Sequence, residues 1–202
     1  MGKIGIMGGT FNPIHIGHLM LAEHVRSTCN LDEVWFMPTG CSYMKKDDDI
    51  LDVETRYHMV ELAISNNPYF KVCDMEIKRP GYTYTFETIL ELKETYPQHT
   101  FYLIYGADCL FTIEKWKSPD IILQNATLIT AVRNGSDISE MRKKREELEK
   151  RFQCDILLFP FLQLEISSTD IRKRINEGKS VRYMIPDEVL AYITREHLYE
   201  KH

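Results

Sequence analysis

Short, almost wholly apolar runs alternate along this chain with longer stretches of helical periodicity. The apolar, strand-like runs occupy residues 4–7, 34–37, 70–73, 101–105, 126–132 and 155–159. Helical patterns fall between most of them, at 18–28, 53–65, 85–95 and 139–152, and two more follow at 169–177 and 186–196. Several begin just after a Ser, Thr or Asp able to cap a helix. The alternation predicts an α/β fold, a doubly wound parallel sheet covered by helices. Residues 1–202 are expected to form one domain, with no internal repeat or low-complexity linker. In such sheets ligands bind beyond the carboxyl ends of the strands, where strand order reverses, and the first strand-to-helix turn usually lies there.

That first turn carries the most informative residues of the chain. Residues 8–19 read GGTFNPIHIGHL. Gly8 and Gly9 let backbone amides approach a ligand closely, and Pro13 keeps the chain from continuing as a strand. A helix is expected to begin near Ile14 or Ile16, which makes His15 and His18 neighbours on its first turn. Free amides and the positive end of the helix dipole favour an anion there, and both rings are placed to donate to one phosphate. Two histidines three apart also suit zinc. A zinc site needs three or four ligands, however, and no Cys or carboxylate stands at a supporting spacing, so no protein metal site is expected.

Composition narrows the ligand. At 202 residues and 44% hydrophobic content the chain suits one well-packed domain. A formal charge of −5 gives no general field for nucleic acid or an anionic membrane. A small anion held by a local cluster of donors fits better. Five cysteines (Cys29, Cys41, Cys73, Cys109, Cys154) stand at wide spacings with no CxxC pair, and they read as reduced thiols in a cytoplasm. No apolar run approaches the ~18 residues of a membrane span, and no signal-peptide apolar region opens the chain. A homo-oligomer stays open, because a self-associating face is not legible in one chain. Two basic features are decoys. Gly178-Lys179-Ser180 resembles the tail of a P-loop, but Lys173 stands where its first glycine belongs and the segment follows a helix. The run Arg142-Lys143-Lys144-Arg145 is followed by Glu146, Glu147 and Glu149, as on a solvated face with intrahelical pairs.

A second anion-ready stretch lies near the other end, where residues 164–172 read LEISSTDIR. Ser167, Ser168 and Thr169 can each cap the following helix or hold a phosphate oxygen, and Arg172 is a charge-assisted donor one turn on. On these residues alone ordinary capping competes with binding.

The two stretches together resemble the signatures of the nucleotidyltransferase superfamily. Gly9, Thr10, Phe11, Pro13, His15, Gly17 and His18 fall on its GxFxPxHxGH pattern, with Asn12 where many bacterial members carry aspartate. Residues 166–172 are similar to its ISSTxIR signature. The resemblance implies a Rossmann-like fold and transfer of a nucleotidyl group from a nucleoside triphosphate, with pyrophosphate released. It implies catalytic roles for His15, His18 and Arg172, and nucleotide contacts from Gly8, Gly9, Thr10, Phe11, Ser167, Ser168 and Thr169. It also implies ATP as a substrate and Mg²⁺ on the triphosphate, held mostly through waters; Asp47, Asp48 and Asp49 suit a solvated loop rather than a metal site.

The middle of the chain must choose the acceptor. Pro38-Thr39-Gly40 with Lys45 and Lys46, PGYTYT with Thr83 and Thr85, and Gly106-Ala107-Asp108 through Trp116 are similar to segments of the nicotinate mononucleotide adenylyltransferases. That resemblance gives Lys45 and Lys46 the phosphates, Thr83 and Thr85 the acceptor mononucleotide, Gly106 the nucleotide and Trp116 the nicotinate ring, while Asp108, an acidic residue at a strand end, is placed for ribose hydroxyls. Solvated lysines, helix-capping threonines and a packing tryptophan are the plainer alternatives. The expected reaction joins ATP and nicotinate mononucleotide into deamido-NAD. The alternatives are a nicotinamide mononucleotide or phosphopantetheine acceptor, or a nucleotide-binding sensor without turnover.

Overall fold

A computed structural model of the chain describes residues 1–42, 50–133, 138–161 and 164–200. Six parallel strands form the main sheet: β1 (Lys3–Gly9), β2 (Glu33–Pro38), β4 (Phe70–Val72), β6 (Thr100–Gly106), β7 (Thr127–Arg133) and β8 (Ile156–Phe161). Their order is β4-β2-β1-β6-β7-β8, so the chain leaves β1 towards one edge and later returns to its other side. The order reverses between β1 and β6, which opens a crevice beyond the end of β1. These strands coincide with the six apolar runs in the sequence.

Successive side chains point to opposite faces, and both faces are apolar. Val34 and Phe36 join one buried cluster with Ile104, Ile129, Ala131 and Phe159. Trp35 and Met37 join the other with Leu103, Leu128, Val132 and Ile156. Helices α1 (Ile16–Thr28) and α2 (Val53–Ile64) pack on the first face, as do α8 (Ser168–Asn176) and α9 (Asp187–Arg195) through Ile171, Val189 and Ile193. Helices α4 (Thr85–Thr95), α6 (Pro119–Asn125) and α7 (Ile138–Phe152) cover the other face. The basic run in α7 does lie among intrahelical partners, Lys144 with Glu147 and Arg145 with Glu149. Gly178, with φ at 66°, ends α8 as a helix-terminating glycine.

Several elements were not anticipated. β3 (Cys41–Ser42) and β5 (Tyr82–Thr83) pair as a parallel two-stranded sheet outside the main one. α3 (Met75–Lys78), α5 (Asp108–Thr112) and the 3₁₀ turn Ile113–Lys115 are also new, as is α6. Each is too short to display a period, so tertiary contacts rather than local pattern define it.

One buried cation pins the loops at the carboxyl end of the sheet. Arg56 lies on the inward side of α2, 3% exposed, beside Met59 and Val60. Its guanidinium donates to the Thr10 carbonyl at 2.7 Å, the Thr39 carbonyl at 2.9 Å and the Leu51 carbonyl at 3.0 Å. Three turns, after β1, after β2 and before α2, are thereby tied to one side chain. Asp52 caps α2 by accepting from the Thr55 amide at 2.9 Å, which fixes the helix that carries Arg56. Truncation in Arg56→Ala leaves three carbonyls without their donor. The expected loss is about 3 kcal/mol or more, measured by urea unfolding. A loss under about 0.5 kcal/mol, the usual range of a neutral surface change, would contradict the pinning role.

Candidate active site

The turn after β1 is built from unusual backbone. Phe11 sits at φ 48°, a left-handed conformation rare for a bulky residue, and the Asn12–Pro13 peptide is cis. Phe11 is 2% exposed, with its ring edge-on to His18 at 5.1 Å and against Phe36 at 5.9 Å. Gly9 makes this possible: a Cβ there would lie 3.0 Å from the Phe11 ring.

α1 begins at Ile16, with His15 at its cap position. The rings of His15 and His18 stack, centroids 3.7 Å apart and planes 25° apart. Gly17 leaves room for this fold, since its Cβ would meet the His15 ring at 3.1 Å. The His15 backbone amide donates to Nδ1 of His18 at 3.2 Å. In the neutral ring this leaves the proton on Nε2, so His18 is an uncharged donor. Burial pulls the His15 pKa down to about 4. Burial, then the neighbouring His15, holds His18 well below the ordinary histidine range. Both rings are therefore neutral at neutral pH in the free protein, and Nδ1 of His15 is buried with no partner.

The second motif folds against the first. Arg172 Nη1 donates to the Asn12 carbonyl at 2.9 Å, and the Ser168 hydroxyl donates to the Pro13 carbonyl at 2.8 Å. Between them lies a cleft of about 270 Å³ lined by Gly9, Thr10, Phe11, Asn12, His18, Ile50, Ser168, Thr169 and Arg172. Residues more than 150 apart in sequence thus share one cavity. Among the described residues, Arg172 is the charged group that lines the cleft.

Not every predicted residue faces this cleft. Ser167 caps α8, its hydroxyl accepting from the Asp170 amide at 3.1 Å. The first amide of α1, that of Ile16, donates to the Met184 carbonyl at 2.9 Å and is spent on the fold. Gly8, the last residue but one of β1, lies beside the Tyr105 hydroxyl, and the Tyr105 ring meets Trp116 edge-on at 5.3 Å. Trp116 is half-buried, with Gly106 and Asp108 exposed at the end of β6 and the start of α5. Thr85 opens α4 and is half-buried, but Thr83 is buried and turned to the Glu76 carboxyl. Burial pushes that carboxyl up, while hydrogen bonds from Thr88 and Thr83 pull the other way. Lys45, Lys46 and the aspartates after them lie outside the described residues. Sequence reasoning missed Arg56, although an arginine three and four residues before Met59 and Val60 sits on the apolar stripe of α2. It missed Tyr199 too, whose hydroxyl donates to Asn12 Oδ1 at 2.8 Å and whose phenol burial pushes up.

Among the described residues no three His, Cys, Asp or Glu side chains cluster as a metal site would need. A parallel sheet whose order reverses over a cleft of backbone turns, an arginine and helix starts is the plan of a nucleotide-handling enzyme. A family model described as cytidylyltransferase-like matches residues 6–174. The chain is 43% identical over 199 residues to the probable nicotinate-nucleotide adenylyltransferase of Lachnoclostridium phytofermentans, covering 98% of this chain and 100% of that one. It is 41% identical over 199 residues to its counterpart in Oceanobacillus iheyensis, covering 98% and 97%. The Plasmodium falciparum nicotinic acid mononucleotide adenylyltransferase complexed with NaAD matches with a TM-score of 0.81 at 23% identity, over 98% of both chains, a likeness of fold. The chain belongs to the cytidylyltransferase-like family and, within it, to the nicotinate-nucleotide adenylyltransferases.

The buried histidine predicts a pH effect of definite sign. An unfolded His15 takes its proton near pH 6.5, the folded one near 4. Stability from keeping it neutral is complete above pH 6.5 and is lost as pH falls towards 4. Between pH 7 and pH 5 the His15 share is about 1 to 2 kcal/mol by urea unfolding. His15→Gln should shrink the pH-dependent loss by that amount, and an equal loss in parent and variant would contradict the neutral ring.

Proposed function

We propose that this chain transfers AMP from ATP to nicotinate mononucleotide, forming deamido-NAD and pyrophosphate. The supporting observation is the convergence of the turn after β1 and the start of α8 on one cleft, closed by Arg172 on Asn12 and Ser168 on Pro13. The relatives' names supply the substrate pair, and the cleft's donors suit its phosphates.

In this reading the acceptor 5′-phosphate attacks the α-phosphorus in line, its new P–O bond forming as the bond to pyrophosphate breaks. Such transfers depend on positioning and on charge stabilisation, and no side chain need form a covalent bond. The hydroxyl and amide of Thr10 and the amide of Phe11 hold α-phosphate oxygens, the Gly9 amide being spent in the β1–β2 ladder. His18 donates through Nε2, His15 keeps its ring in place by stacking, and Arg172 and Thr169 hold the outer phosphates, while the Ser168 hydroxyl stays on the Pro13 carbonyl. Ser167 serves the helix that presents them. The described lining offers no carboxylate ligand, so a magnesium ion would be carried by the substrate's phosphates rather than held by these side chains, and would supply charge neutralisation there. Trp116, beside Tyr105, offers the face for the pyridine ring, Thr85 serves the acceptor, and Gly106 and Asp108 serve the nucleotide, Asp108 through its ribose. A cytoplasmic location goes with this substrate pair, and no described helix is long and apolar enough to cross a membrane.

Pyrophosphate release with Mg-ATP and, in parallel, nicotinate mononucleotide, nicotinamide mononucleotide and phosphopantetheine tests the proposal. The expected result is a kcat/KM at least tenfold higher for nicotinate mononucleotide, about 1.4 kcal/mol in the transition state. A phosphopantetheine preference would overturn the acceptor, and ATP binding with no release from any acceptor would favour a sensor.

A further inference from the structure

One ammonium group beside the acceptor region has no role in the account so far. Lys117 follows Trp116 directly and is exposed. Its Nζ lies over the Tyr84 ring, 3.9 Å from the centroid, with the Phe86 ring centroid at 5.5 Å. Tyr84 is the residue just before α4, so the cation is carried to the N-terminal end of that helix. The positive end of a helix dipole disfavours a cation there. No carboxylate compensates, because among the described residues none forms an ion pair with Lys117. Among the described residues the two aromatic faces hold it. The free protein thus gathers positive potential from two sources beside a tryptophan whose ring is anchored edge-on by Tyr105. A planar ligand bearing a negative group, laid on Trp116, relieves that repulsion, whereas an uncharged amide in the same place does not.

We infer that Lys117 is a specificity-determining residue: its ammonium, held on the Tyr84 and Phe86 rings, selects an acceptor ring bearing a carboxylate over one bearing an amide. The inference rests on the proposed transfer of AMP to a pyridine mononucleotide. A single backbone amide can meet an oxygen of either group; a fixed positive charge adds a Coulomb attraction that the carboxylate feels and the uncharged carboxamide lacks. Because Lys117 is exposed, water screens the effect to a few-fold.

The test is the ratio of kcat/KM for nicotinate over nicotinamide mononucleotide in the parent, Lys117→Gln and Lys117→Arg. The ratio is expected to fall about fivefold in Lys117→Gln and to return to within about twofold of the parent in Lys117→Arg. Loss of packing alone would weaken both acceptors together and leave the ratio where it was. A Lys117→Gln ratio within about 1.5-fold of the parent overturns the inference while leaving the acceptor class intact. A parent that releases pyrophosphate with neither mononucleotide overturns the functional proposal itself. Should the glutamine variant not fold, the parent decides. Raising salt from about 50 to about 500 mM should raise the KM for nicotinate mononucleotide more than that for nicotinamide mononucleotide, and equal rises overturn the inference.

Discussion

Everything at the candidate site depends on where the carbonyl groups of one turn go. The chain between β1 and α1 must turn its amides towards an anion, which requires partners for its carbonyls on the protein side. Arg56 takes the Thr10 carbonyl, Arg172 the Asn12 carbonyl and Ser168 the Pro13 carbonyl. Asn12 Oδ1 in turn receives the Leu51 amide and the Tyr199 hydroxyl. Among the described residues no hydrogen bond occupies the amides of Thr10 and Phe11. The turn keeps those two amides available because α2, α8 and the segment after α9 supply donors to its other side.

The same packing sets the charge of the histidines. Bringing His15 and His18 to 3.7 Å in a half-closed pocket makes a single protonation costly and a double one more so. Neutral rings are compatible with burial, and in the proposed reaction phosphate charge beside them would favour protonation. In the proposed reaction Arg172 would supply permanent charge and His18 a donor whose charge follows the ligand. This division suits a reaction in which negative charge moves from an acceptor phosphate to a leaving pyrophosphate.

Much of the fold is legible in the sequence because both faces of the sheet are covered. Runs such as 34–37 are apolar at every position only when neither face meets water, and this separates them from amphipathic helices. The two-stranded β3–β5 sheet and the short helices after β6 carry no such signal, since a few residues cannot display a period. At the site, histidines three apart and hydroxyls before a helix are visible as patterns. What Ser167 does is not, because the same sequence serves capping and phosphate binding, and the chain's third dimension decides between them. Thr83 likewise looks outward on paper, yet it spends its hydroxyl on a buried Glu76. Arg56 and Tyr199 escape notice because their partners are backbone atoms and an asparagine far away in sequence.

The most direct test of this electrostatic picture is an NMR titration of the His15 and His18 ring protons, in the free protein and with a non-hydrolysable ATP analogue saturating the cleft. In the free protein His15 should titrate near pH 4 and His18 well below 6.5, and bound phosphate should move both midpoints upward. Midpoints near 6.5 in the free protein, or midpoints that stay put when the analogue binds, would contradict the claim that the fold holds the pair neutral until phosphate arrives.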